Sequence, residues 1–194
     1  MQARQNNQSL QRTRSITFIG LSVALLAVSA WITIPLGPVP FTMQTFVEVF
    51  VLLALRSRES IATAVAYLVL GSLGLPLFSS MRGGIGVVAG PTGGFLIGFV
   101  IGTLAAVLFL KLLGNRRSIV VEYAAAVILL IVCYTCGWLQ LSFVTGMGSA
   151  AAFVAGIAPF IIIDLVKVAL AVPVARAVRK AVGHDRAVTL PSKG

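Results

Sequence analysis

Two ionisable side chains stand where charge is costly: Asp164 and Lys167, inside the apolar run Ala152 to Ala175. A carboxylate and an ammonium three positions apart share one helical face, and each costs roughly 2.5–3.5 kcal/mol to place at mid-bilayer on insertion scales. Such a pair either neutralises itself as a structural ion pair or lines a pocket for a polar ligand. Snorkelling does not explain Lys167, because Arg176 at the end of the run lies nine residues away, or ~13 Å of helix, which is long for a lysine stem.

Other candidate groups cluster between apolar runs. In Pro35-Leu36-Gly37-Pro38-Val39-Pro40-Phe41-Thr42-Met43-Gln44, three prolines fix φ and interrupt helix, so a stiff irregular segment ends in the polar Thr42 and Gln44. It is either a lid or a tight connection. The stretch Ser79 to Gly86 and its continuation Gly90-Pro91-Thr92-Gly93-Gly94 are glycine-dense, which lets backbone approach a ligand, with Gly83 and Gly84 the candidates. Arg82 within it is suited to clamp a carboxylate bidentately or to anchor a lipid headgroup. No strand or βαβ unit surrounds these glycines, which excludes a dinucleotide fingerprint.

Glu48 also falls within an apolar run, where it either hydrogen-bonds a neighbouring helix or water or carries a coupled proton. Cys133 and Cys136 form a C-x-x-C inside a span with no second ligand pair, so they are expected as small packing residues and no metal site is expected. There is no G-x-x-x-x-G-K-[ST] motif, so this chain does not itself draw work from ATP. No His lies in a span and the sole one is His184, which argues against a membrane enzyme; no catalytic residue and no cofactor is expected.

These residues have to be positioned by membrane helices. The chain is 58% hydrophobic and 10% charged, with a mean hydropathy of +1.02, against about 25% charged residues in soluble domains. The net charge of +10 does not signal nucleic acid, since the cations form no continuous or aromatic-interleaved stripe. The apolar runs are Ile16 to Ile34, a shorter Phe41 to Leu55, Ile61 to Phe78, Gly93 to Leu113, Ile119 to Val144, and Ala152 to Ala175. Placing the N-terminus inside puts thirteen of the fifteen Lys and Arg residues in cytoplasmic segments. Outside loops then hold only Arg82, and the remaining cation is Lys167. The fold class expected is therefore an all-α integral membrane protein of six transmembrane helices with both termini cytoplasmic.

Residues 1–15 and 183–194 are expected as flexible cytoplasmic tails, with 16–182 as one membrane domain lacking an inverted repeat. Although Val28-Ser29-Ala30 resembles a signal cleavage site, the run continues through Ile34 and is long enough to span. Gly94, Gly98 and Gly102 at four-residue spacing mark internal helix packing, and Gly20 with Ala24 mark a second close-packing face, for a neighbouring helix or a partner subunit. Glu122 is expected to snorkel to the interface.

Pro38-Val39-Pro40-Phe41-Thr42-Met43-Gln44-Thr45, Tyr67-Leu68 through Gly71 and Gly74-Leu75-Pro76-Leu77-Phe78, Gly83-Gly84 through Gly90-Pro91-Thr92-Gly93-Gly94-Phe95, and Asp164-Leu165-Val166-Lys167, in this order, resemble the BioY family. That family comprises the biotin-specific S components of energy-coupling factor (ECF) transporters. The resemblance spans nearly all of Ile16 to Ala175 and implies a membrane subunit that captures extracellular biotin with high affinity. It further implies a transmembrane coupling subunit and two ABC-type ATPases as partners, residence in a bacterial inner membrane, and biotin bound as substrate.

Biotin's ureido ring offers two N–H donors and one carbonyl acceptor, complementary to a buried carboxylate and ammonium. Its valerate carboxylate would meet Lys167 or Arg82, and its apolar bicycle would meet walls such as Phe41, Tyr67 or Phe78. Gly20 and Ala24 resemble the family's coupling face on the first helix. An ion-coupled secondary carrier for biotin or another small carboxylate is the alternative, with Glu48 as its coupling group.

Overall fold

Three long apolar runs free of internal proline become unbroken helices of 20 residues or more. The computed structural model describes residues 2–114 and 117–182. Helix α1, Gln2–Trp31, contains a 23-residue apolar stretch, and α5, Gly93–Leu112, and α6, Ile119–Thr145, are 20 and 27 residues long. These three are long and apolar enough to cross a membrane, or four with a bent pair counted as one span. Because α1 starts at Gln2, residues 2–15, expected as a flexible tail, belong to a helix. The expected tail 183–194 lies outside the described residues.

Two of the expected spans are truncated. The hairpin formed by β1, Thr33–Ile34, and β2, Phe41–Thr42, takes the end of the first run and the start of the second and pairs Thr33 with Thr42 and Ile34 with Phe41. The all-α expectation is corrected by this short ribbon, whose turn is the proline-rich segment. Helix α2, Gln44–Ala54, then has 11 residues, about 16 Å of rise against a hydrocarbon core of ~30 Å. Helix α3, Ser57–Ser72, has 16 residues. It stops before Leu75-Pro76, where the residue preceding a proline disfavours helix, and a one-turn helix α4, Ile85–Val88, follows.

The sixth run is not one helix. Helix α7, Ser149–Gly156, and α8, Ile161–Val182, meet at 47°. Pro159 supplies the cause, since its ring lacks an N–H and clashes with the carbonyl four residues back. The break moves Asp164 from mid-span to the first turn of α8, where the helix dipole favours a carboxylate. Pro173 by contrast sits within α8 and breaks nothing. It leaves the Ala169 carbonyl without its helical donor, and the Tyr123 hydroxyl from α6 donates to that oxygen at 3.1 Å; such substitution by a neighbouring helix is how membrane helices tolerate proline.

Packing follows the small residues. Helices α5 and α6 touch along the expected glycine stripe, so that a Cβ on Gly98 would lie 2.7 Å from the Cys133 Cα and one on Gly102 would lie 2.8 Å from the Leu129 carbonyl oxygen. Helices α2 and α8 share a core in which Val49, Leu52 and Leu53 join Val168, Ala171, Val172 and Ala175. At one end of this core Glu122 is fully buried and paired with Arg179 at 2.6 Å and Arg176 at 3.2 Å, which corrects the snorkelling expectation. Arg179 also donates to the Leu53 carbonyl at 2.9 Å, capping the C-terminal end of α2.

Gly98→Ala is expected to destabilise the fold by roughly 1–3 kcal/mol through overpacking, lowering Tm in detergent. Unchanged Tm would show that α6 retreats without cost.

Candidate ligand-binding site

A cavity opens where the hairpin, α2, the 78–79 turn, the α4–α5 connection, α6 and the α7–α8 break converge. Its empty space, counted out through the open mouth, is about 650 Å³. The wall is largely apolar and aromatic, with Phe78, Phe95, Phe99 and Phe160 prominent, and polar groups come from Thr42, Gln44, Thr92, Tyr134, Asp164 and Lys167.

Apart from Thr92, these polar groups fall into two hydrogen-bonded sets. Lys167 Nζ donates to Asp164 Oδ1 at 2.6 Å and to the Thr42 carbonyl oxygen at 2.7 Å, and lies 4.2 Å from the centroid of the Phe41 ring. The Tyr134 hydroxyl donates to Asp164 Oδ2 at 2.7 Å. The ammonium therefore has one N–H beyond those placed, and each carboxylate oxygen has a lone pair beyond the one engaged. In the second set the Thr42 hydroxyl donates to Gln44 Oε1, Gln44 Nε2 donates to the Tyr67 hydroxyl at 2.7 Å, and that hydroxyl donates to the Leu77 carbonyl at 2.8 Å. Tyr67 also meets Phe78 edge-on at 5.5 Å.

The remaining sequence candidates are distributed around this centre. Asp164, Lys167 and Gln44 line the cavity together with Phe78. Phe41 stands behind the ammonium and Tyr67 behind Gln44, both outside the lining. Arg82 is exposed, with its side chain turned onto the Ser79 carbonyl at 3.4 Å. Gly83 and Gly84 do not reach the cavity. A Cβ on Gly83 would collide with the Leu75 carbonyl, and Gly84, at φ +98°, donates its N–H to the Gly71 carbonyl at 2.7 Å. They fasten their loop to the end of α3. Gly20 and Ala24 lie on the exposed face of α1, and a Cβ at Gly20 would have no neighbour within 4 Å.

The sequence model of the BioY family matches residues 2–184. A probable biotin transporter BioY from Pyrococcus horikoshii is 37% identical over 164 residues, covering 84% of this chain and 95% of the relative. The chain belongs to the BioY family. The biotin transporter BioY of Thermotoga maritima is 36% identical over 168 residues, covering 86% of this chain and 96% of that one. Among solved structures, the S-component for biotin from an ECF-type ABC transporter superposes with a TM-score of 0.80 over 88% of this chain and 93% of the other, at 24% identity. This BioY chain shares its fold.

Tyr134 and Gln140 are functional candidates that the apolar pattern of α6 concealed. Each is a polar side chain in a run otherwise suited to lipid, which is the one signal they carry. In this BioY member Gln140 Nε2 donates to the carbonyls of Val88 at 2.7 Å and Gly90 at 2.8 Å, tying the loop before α5, with cavity residues Val87 and Thr92, to α6. Gln140→Leu removes both bonds and is expected to raise amide hydrogen exchange in residues 85–93 about tenfold relative to α3. Equal exchange would show that other contacts hold the loop.

Proposed function

We propose that this chain is the substrate-binding membrane subunit, the S component, of an ECF-type biotin transporter. The observation that carries the reading is the Tyr134–Asp164–Lys167 cluster on the wall of an otherwise apolar cavity, in a chain whose relatives are named as biotin transporters. The open lone pairs of Asp164 accept from the two ureido N–H groups and the third N–H of Lys167 donates to the ureido carbonyl. The aromatic walls cover the bicycle. Arg82, exposed and three residues from the cavity-lining Ser79, is the cation left for the valerate carboxylate.

In this reading the six crossings are α1, the hairpin with the short α2, α3 with the loop that follows it, α5, α6 and the broken α7–α8 pair, with both termini on the cytoplasmic side of a cell membrane, as the sorting of Lys and Arg supports. With no nucleotide motif in the chain, work comes from a coupling subunit and ABC-type ATPases. Gly20 and Ala24, exposed on α1, belong to the face that meets the coupling subunit.

Calorimetric titration of the purified chain with biotin, desthiobiotin and an unrelated vitamin tests the assignment. Biotin is expected to bind tightly and the unrelated vitamin to give no heat; absence of heat with biotin rejects the reading. Asp164→Asn and Lys167→Ala each remove a charge-assisted hydrogen bond worth roughly 1.5–3 kcal/mol and are expected to weaken biotin binding about tenfold to a hundredfold in folded protein. Wild-type affinity in both would remove the pair from the site.

One observation favours a second reading, an ion-coupled carrier. Glu48 is buried in α2, accepts from Thr103 Oγ1 at 2.8 Å, and leaves Oε2 with no hydrogen-bond partner among the described residues. Proton-driven uptake by the chain alone in proteoliposomes, lost in Glu48→Gln, would support that reading. Binding without such uptake leaves the S component.

A further inference from the structure

A second concavity lies apart from the cavity, at the end of the bundle where α1 passes the start of α3 and the end of α5. It is a shallow groove with about 1,320 Å³ of empty space out to its mouth. Among the described residues, Arg12, Arg56, Arg58 and Lys111 line it against a single carboxylate, Glu59. That carboxylate already accepts the Ser15 hydroxyl at 2.6 Å and the Arg56 backbone N–H at 3.1 Å. The four cations are exposed, and none of the charges used in the Tyr134–Asp164–Lys167 cluster is among them. Among the described residues the groove thus carries four cations to one carboxylate, an excess of positive charge that attracts anions.

The surface next to it is apolar along helical faces. On α5, Leu108, Leu104 and Ile101 lie three, seven and ten residues before Lys111 and are 57%, 46% and 45% exposed. This spacing puts them in one stripe beneath the ammonium. On α3, Val65 and Val69 stand seven and eleven residues after Arg58 and are 40% and 49% exposed, forming a matching stripe beneath the guanidinium. Ile16, on the groove wall, is 70% exposed. Cations at the top and two apolar stripes running away from them make an amphipathic surface several helical turns long.

We propose that this groove is a specific binding site for an anionic phospholipid, its phosphate held by Arg12, Arg56, Arg58 and Lys111 and its acyl chains lying along the α3 and α5 stripes. A free phosphate or an acidic peptide satisfies the cations but not the stripes, which makes lipid the occupant that uses the whole surface. Basic pockets between membrane helices are suited to such headgroups, each Lys or Arg contributing about 1 kcal/mol at an anionic surface. Arginine adds bidentate geometry towards phosphate.

The test uses the full-length chain in non-ionic detergent with equal amounts of dioleoyl phosphatidylglycerol and dioleoyl phosphatidylcholine, and retained lipid is read by native mass spectrometry. Phosphatidylglycerol is expected to be retained roughly tenfold over phosphatidylcholine. The Arg58→Gln/Lys111→Gln variant is expected to bring that ratio down to about one, whereas Arg58→Lys/Lys111→Arg keeps it. An unchanged unfolding transition confirms that the Gln variant is folded; should it unfold, Arg12→Gln/Arg56→Gln is expected to show the same loss. Equal retention of the two lipids, or full preference in a folded Gln variant, overturns the proposal. Displacement of the lipid by millimolar inorganic phosphate or by a chainless acidic peptide also overturns it, in favour of a free-anion or protein-docking site.

Discussion

The ammonium of Lys167 has to be satisfied inside a low-dielectric bundle, and the structure around the cavity is arranged to do so. An unpaired charge at such depth is untenable, while a paired one needs good geometry and further hydrogen bonds. Lys167 finds Asp164 on its own helix, a backbone carbonyl at Thr42, and the face of Phe41. Two of those three partners belong to the hairpin, far away in the chain. The requirement therefore joins α8 to the loop after α1 and sets the distance between them, and the Tyr134 hydroxyl extends the join to α6. A cavity with one polar wall results from this meeting of three segments.

Proline does two opposite things in the same stretch of chain. At Pro159 the helix breaks and changes direction, delivering Phe160 and Asp164 to the cavity from a corner. At Pro173 the helix continues, because Tyr123 replaces the donor that proline lacks. The difference lies in whether a neighbour can supply a hydrogen bond at that depth. The charges at the far end of α8 are likewise satisfied by neighbours: Glu122 pairs with Arg176 and Arg179, and Arg179 also caps α2.

The long apolar runs of α5 and α6 and their glycine contacts were legible in sequence, because length and four-residue spacing are strong signals for membrane helices. Asp164 and Lys167 were legible for the opposite reason, as exceptions to an apolar pattern. The truncation of α2 and α3 was not, since hydropathy runs continue through loops that pack inside a protein. The corner at Pro159 was marked by its proline and by Gly156, yet an uninterrupted apolar composition masked it. Gly83 and Gly84 illustrate a different limit: their density suggested ligand approach, whereas their backbone is committed to α3. Tyr134 escaped because its partner lies thirty residues away, and only the meeting of α6 with α8 makes it polar machinery.

The acceptor that Thr42 provides to Lys167 is a main-chain atom, and this has a consequence for how the family can drift. No single side-chain replacement at that position deletes the acceptor, so the lysine's anchorage is insulated from ordinary point substitution. It depends instead on the path of the hairpin and hence on the number of residues between Ile34 and Phe41. Insertion or deletion in that turn is the genetic event to which the pocket is exposed, and divergence in ligand preference would be traced more readily through loop length than through residue identity.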